Sequence, residues 1–225
     1  MKHLSKVKYE DFLNSISKQK VITVKKKRER AVYFLPESNK FFKLWVPNWT
    51  QGLITSFCIE QEFYNANNAQ SVIELIEDES GPRGYVQIAG VSAAEPGKSD
   101  KDWSMFNRMT SLDKRKTFIQ NVFRKSIEIG GTYTDLAPCN LIFYNDTINF
   151  IDLESFRSFD LIYENKRKDY EKFDLDAWWK PHETAKRDVN KYLKSYLSEC
   201  LGLDLQFDID SKENFKKTAE LVYDC

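Results

Sequence analysis

The apolar positions of this chain change their spacing partway along it. Up to about residue 90 they fall in short runs. Val21–Lys25 (VITVK), Ala31–Leu35 (AVYFL) and Phe41–Val46 (FFKLWV) are rich in β-branched and aromatic residues, the composition of strands. The basic run Lys25–Arg30 and the turn-forming Pro36–Asn39 separate them, which predicts an antiparallel meander with short connections. Val72–Ile76 and Tyr85–Ala89 read as two further strands around a turn at Asp78–Gly84. Two stretches show helical spacing instead. Residues 9–17 predict a short opening helix. Leu53–Ala69 carries Ile54, Phe57, Cys58, Phe63 and Ala66 on one face.

Residues 92–102 (SAAEPGKSDKD) are polar and mark the expected boundary between two lobes. Beyond them the pattern turns mostly helical. Thr110, with Asp113 three residues on, predicts a capping box. The helix it opens, Leu112–Ile129, would bury Phe118, Val122, Phe123, Ile127 and Ile129, and Gly130-Gly131 would end it. Leu141–Tyr144 and Asn149–Leu153 predict a small hairpin about Asn145-Asp146. Residues 169–201 predict further helices. The expectation is an α+β chain: an N-terminal β-rich lobe with one helix over 1–91, a linker over 92–110, and a mainly helical lobe over 111–225.

Composition narrows the function. Lys plus Arg balances Asp plus Glu at 34 each, so no global charge argues for a nucleic-acid or anionic-membrane partner. Cys58, Cys139, Cys200 and Cys225 are widely spaced with no CxxC pair. That argues against a zinc site or a disulfide framework and for reduced thiols in a cytoplasmic protein. There is no apolar run of the ~20 residues a membrane span needs, and MKHLSKVKYEDF lacks the apolar core of a secretory signal. The basic run reads first as a solvated hairpin tip, with contact to phosphate, lipid or nucleic acid as its alternative.

The candidate chemistry lies in TYTDLAPCNLIFYNDTINFIDLE, residues 132–154. Asp135 is followed five residues later by Asn140. After the hairpin, Asp152 returns to Asn140's level. A carboxylate for an attacking hydroxyl, two hard oxygen ligands for magnesium and a cation for phosphate are what phosphoryl transfer needs. Taken singly, each has an ordinary reading: Asp135 and Asp152 as turn carboxylates, Asn140 as a loop hydrogen-bonder, Lys43 as a solvated strand lysine.

In order, these residues resemble the protein-kinase-like superfamily, in particular the divergent branch of aminoglycoside and choline phosphotransferases, RIO kinases and Kdo-type sugar kinases. The resemblance rests on DLAPCN followed by IDLE and runs over about residues 20–200. It implies a two-lobed kinase-like fold and an ATP- and Mg-dependent phosphotransferase acting on a hydroxyl of an unidentified acceptor, with a small molecule, sugar or lipid favoured over a protein. It implies Asp135 as the catalytic aspartate and Asn140 and Asp152 as metal ligands. Lys43 would hold the α- and β-phosphates, set by Glu62 or alternatively Glu60. Backbone groups at Gln87–Ala89 would meet the adenine. Glu154 is a further acidic candidate. The chain departs from the pattern at three places. Tyr133 stands where the family often has histidine. No glycine lies between the first two strands of the meander. Glu154-Ser155 replace Phe-Gly. A non-catalytic, pseudokinase-type nucleotide-binding or interaction module is the alternative.

Overall fold

The computed structural model describes residues 5–26, 30–45, 72–152, 155–165 and 182–224. The chain separates into two compact units, Met1–Gly90 and Val91–Cys225, with residues 92–110 in the second.

Among its described residues the first unit is a six-stranded sheet with one helix. Its elements are β1 (Ser5–Lys8), α1 (Tyr9–Ile16), β2 (Ile22–Lys26), β3 (Arg30–Leu35), β4 (Lys40–Trp45), β5 (Val72–Asp78) and β6 (Gly81–Ile88). The strand order is β1-β5-β6-β4-β3-β2. The meander expected from the apolar runs is present as β2-β3-β4. The sheet is nevertheless mixed rather than five-stranded and antiparallel, because β1 adds to β5 in parallel, Ser5 opposite Glu74 and Lys8 opposite Glu77. The short polar segment SKVK owes its strand to that partner rather than to its own composition.

The sheet buries one face under α1. Phe12 of the helix joins Leu35, Phe42, Ile76 and Val86, and its ring meets Phe42 edge-on with centroids 5.1 Å apart. The turn expected over 78–84 is confined to Glu79-Ser80. The Asp78 carboxylate accepts from the Ser80 backbone N–H at 2.9 Å and closes it, so Pro82 and Gly84 fall inside β6. Gly84 is required there: a Cβ on it would lie 1.9 Å from the carbonyl oxygen of Lys43. The expected helix over 53–69 lies outside the described residues.

The second unit contains β7 (Val91–Ser92), α2 (Ser104–Met109), α3 (Leu112–Ile129), β8 (Gly131–Tyr133), β9 (Leu141–Tyr144), β10 (Thr147–Phe150), β11 (Phe156–Ser158), α4 (Phe159–Tyr163), α5 (His182–Leu201) and α6 (Lys212–Asp224). A short sheet β10-β9-β7 and a pair β11-β8 lie among the helices. The cap of α3 is Ser111 and not Thr110. Ser111 accepts from the Lys114 backbone N–H at 3.3 Å, while Thr110 is buried and donates to the Phe106 carbonyl at 2.7 Å. Of the predicted stripe, Phe118, Val122 and Phe123 are buried, with Ile119 and Ser126 beside them, while Ile129 is exposed. Gly130 ends the helix at φ 80°, the left-handed position glycine fills without steric cost. The hairpin's second strand is Thr147–Phe150 rather than 149–153. Asn145 and Asp146 turn it at φ 46° and 62°, the pattern of a two-residue type I′ connection.

Aromatic rings form the core of this unit. Trp103 meets Tyr196 at 4.9 Å, Tyr196 meets Phe118 at 5.9 Å, and Phe118 meets Phe150 at 5.5 Å. Phe150 then stacks on Tyr133 at 4.0 Å and 13°. The chain of rings ends two residues before Asp135, so the packing of helices α3 and α5 reaches the start of the candidate loop.

Candidate active site

The loop from Thr134 to Asn140 is buried on both sides of Asp135, with Thr134, Leu136, Ala137 and Pro138 all buried. Pro138 opens a single 3-10 turn, Pro138–Asn140. Its closing bond, from the Asn140 backbone N–H to the Ala137 carbonyl at 2.9 Å, turns the Asn140 side chain back toward the loop's start. There Nδ2 donates to the Asp135 carbonyl at 3.0 Å. The amide's Oδ1 receives a weak contact from the Cys139 thiol at 3.8 Å.

Three backbone bonds close this into a ring. The Ile151 N–H donates to the Asn140 carbonyl at 2.8 Å, which extends the β9–β10 ladder by one rung. The Ser155 N–H donates to the Asp152 carbonyl at 3.1 Å. The Thr134 N–H donates to the Ser155 carbonyl at 2.9 Å, and the Thr134 hydroxyl donates to the same oxygen at 2.9 Å. The circuit runs Asp135, Asn140, Ile151-Asp152, Ser155, Thr134 and back to Asp135. It draws together three residues that the sequence spaces over eighteen positions. Asp152 adopts φ 60°, a left-handed conformation that costs an aspartate of order 1 kcal/mol and that surrounding bonds must hold.

The charge distribution agrees with this placement. The Cys139 thiol is pushed above its ordinary value, first by partial desolvation and then by the carboxylates of Asp135, Asp100 and Asp152. The residue as a whole is exposed, so the desolvation is local to the sulfur. Tyr192 on α5 is driven well above its ordinary value by burial, by its hydrogen bond to Asp100, and by the charges of Asp135, Asp100 and Asp188. Its hydroxyl donates to Asp100 at 2.7 Å, and Lys191 reaches the same carboxylate at 3.1 Å. Asp100 and Tyr192 therefore share charge interactions with the loop residues Cys139 and Asp135, with Lys191 hydrogen-bonded to Asp100, and none was indicated by the sequence. Their proximity arises across about 90 residues of chain, without any local motif.

Among the described residues no group of three or more His, Cys, Asp or Glu side chains gathers to hold a metal ion. The two donors expected from the sequence are one amide oxygen, of Asn140, and one carboxylate, of Asp152. A pair of that kind would suit magnesium, which takes one or two protein carboxylates and completes its shell with water and phosphate oxygens.

Apart from Glu154, the remaining candidates lie in the first unit. Lys43 sits on β4 opposite Val32 and Tyr85. It is 6% exposed, with Nζ 5.7 Å from the centre of the Tyr85 ring. Gln87 is within the ladder opposite Phe41 and Val72. The Ala89 N–H is donated to the Asn39 carbonyl at 3.1 Å, so the amide at that position is already engaged. Glu60, Glu62 and Glu154 lie outside the described residues. In comparisons with known protein families and known proteins, the chain matches no family model and no curated protein sequence.

Proposed function

We propose that this chain is a two-lobed, protein-kinase-like phosphotransferase that moves the γ-phosphoryl group of ATP to a hydroxyl of a small molecule, sugar or lipid. The observation that carries the reading is the hydrogen-bonded ring joining Asp135, Asn140 and Asp152. A loop whose main chain is tied together at Asp135, Asn140 and Asp152 by backbone bonds and by the Asn140 amide supports the preorganisation that this reaction needs.

In this mechanism Asp135 accepts a hydrogen bond from the acceptor hydroxyl and orients its oxygen toward the γ-phosphorus. As the new O–P bond forms, the bond from phosphorus to the β–γ bridging oxygen breaks. The hydroxyl proton passes to Asp135, and ADP leaves. Asn140 Oδ1 and Asp152 are the residues that would hold Mg²⁺. When bound, the ion neutralises charge on the phosphate oxygens. Lys43 is assigned the phosphate contact, and its burial on a strand suits a lysine held in one place.

A pseudokinase-type binding module is the second reading, favoured by the absence of glycine between β2 and β3. Against it, Tyr133 supports the loop by stacking on Phe150, the scaffolding task its position implies.

Thermal denaturation with ATP, with and without magnesium, separates the two. At a hundred times its dissociation constant a ligand adds about 2.7 kcal/mol. Magnesium-dependent stabilisation that Asp152→Asn removes, with ADP release that Asp135→Ala lowers roughly 100- to 10,000-fold, supports the phosphotransferase. Stabilisation that needs no metal and survives Asp152→Asn identifies the binding module. No stabilisation under either condition removes both.

A further inference from the structure

The outer strand of the first unit has a composition that the phosphotransfer reading does not use. β2 ends the sheet order, with no strand beyond it among the described residues. All five of its residues are exposed. Over residues 18–26 the chain reads KQKVITVKK, which is four lysines, three β-branched apolar residues and no acid. Lys18, Lys20, Lys25 and Lys26 are exposed. Val21 is 39%, Ile22 42% and Val24 55% exposed.

Edge strands are commonly protected by lysines and bulges, and β2 has both. Its register against β3 slips between Thr23 and Lys25, leaving Val24 as the extra residue. Protection explains the lysines and the bulge. It does not explain three large apolar side chains left in water on the same nine residues, since an edge that only needs shielding is better served by polar ones. Cations with adjacent exposed aliphatic groups match a different environment. At an anionic lipid surface the ammonium groups meet phosphate and carboxylate headgroups, while the aliphatic groups enter the acyl boundary. A nucleic acid would use the charges but not the valines and isoleucine. Residues 18–26 also contain no aromatic ring on which a base would stack.

We infer that β2 is a docking surface for an anionic lipid bilayer, with Lys18, Lys20, Lys25 and Lys26 at the headgroups and Val21, Ile22 and Val24 at the acyl boundary. This surface is separate from the phosphotransfer reading and stands without it. A lysine near an anionic membrane strengthens binding about fivefold, and the summed attraction weakens with salt.

The test is co-sedimentation of the full chain with vesicles of phosphatidylcholine alone and of phosphatidylcholine with 30% phosphatidylserine (about one lipid in three). A labelled single-stranded oligonucleotide is titrated in parallel. The expected result is binding to the anionic vesicles only, reduced about tenfold or more in K25Q/K26Q and reduced also in I22S/V24S, at unchanged melting temperature. These positions are exposed, so the variants leave the packed core intact. No binding to anionic vesicles overturns the inference. So does binding that K25Q/K26Q leaves undiminished, oligonucleotide binding in place of vesicle binding, or a dimer in light scattering that I22S/V24S disperses.

Discussion

Asn140 donates its side-chain amide to the backbone carbonyl of Asp135 at 3.0 Å, so the proposed metal ligand also fixes the main chain at the proposed base. One side chain would serve two ends in the proposed function: Nδ2 donates to the loop carbonyl, and Oδ1 is the atom assigned to the ion. Asn140 is only 8% exposed, and Asn140→Ala therefore leaves the Asp135 carbonyl without this donor. The expected stability loss is about 1–3 kcal/mol, measured by urea denaturation. Asn140→Asp keeps an oxygen ligand but sets a carboxylate against the Asp135 carbonyl. It should destabilise comparably at neutral pH and recover as the carboxylate is protonated. Equal stability of all three proteins would show that the bond does not hold the loop.

Asp152 offers a test that separates backbone from charge. At φ 60° alanine is strained and glycine is not, so Asp152→Gly should be more stable than Asp152→Ala by about 1 kcal/mol. Asn, which tolerates this region, should fall near the wild type. All three substitutions remove the carboxylate, and all three should abolish magnesium-dependent stabilisation by ATP. Retention of that dependence in any of them would remove Asp152 from the proposed metal site.

Much of the fold was legible because its signals are local. The β2-β3-β4 meander follows from short runs of β-branched and aromatic residues, and the β9-β10 hairpin from Asn145-Asp146. Elements that exist through distant partners were not legible. β1 is four mostly polar residues made into a strand by β5, more than sixty positions away. β8 and β11 are three residues each and pair with one another. Capping was displaced by one residue because Thr110 and Ser111 are both competent, and burial of Thr110 against Phe106 decides between them. Helix α6 had a readable signal, with Phe215, Thr218, Ala219 and Val222 at helical spacing and Ser211 at its start. In the candidate site, Asp135, Asn140 and Asp152 stood out by residue type and spacing. Thr134 and Ser155 did not, because they act through main-chain bonds that residue identity does not announce.

The Tyr192–Asp100 bond carries a pH dependence. Hydrogen bonds from Tyr192 and then Lys191 hold the Asp100 carboxyl below its ordinary value. Its stabilisation is therefore present above the unfolded value, near 3.9, and is lost as pH falls through the lower folded value. Asp100 is about half exposed, and solvent screening keeps the contribution of the pair to about 1 kcal/mol or less. Tyr192→Phe should lower stability by that amount at pH 7, and the difference from wild type should shrink as pH approaches 2. A difference that stays constant over that range would assign the effect to packing and not to the charged bond.

Cys139 reports on the site without reference to catalysis. Its thiol is raised by desolvation and then by Asp135, Asp100 and Asp152, so removing a carboxylate should lower it and increase the thiolate fraction. At pH 8, well below the raised value, alkylation by neutral iodoacetamide follows that fraction. A unit charge several ångströms away in a largely aqueous setting acts with about 0.5–1 kcal/mol, which corresponds to a rate change of roughly two- to fivefold. Asp135→Asn and Asp152→Asn should each speed modification of Cys139 by that factor, the first more than the second. Cys200 is buried, its thiol raised out of the range where it would react. With Cys58 and Cys225 replaced by serine, the signal belongs to Cys139, and mass spectrometry of the labelled peptide reads it directly. An unchanged rate in both variants would mean that the two carboxylates do not share the thiol's surroundings, and the ring that joins them would lose its meaning as a site.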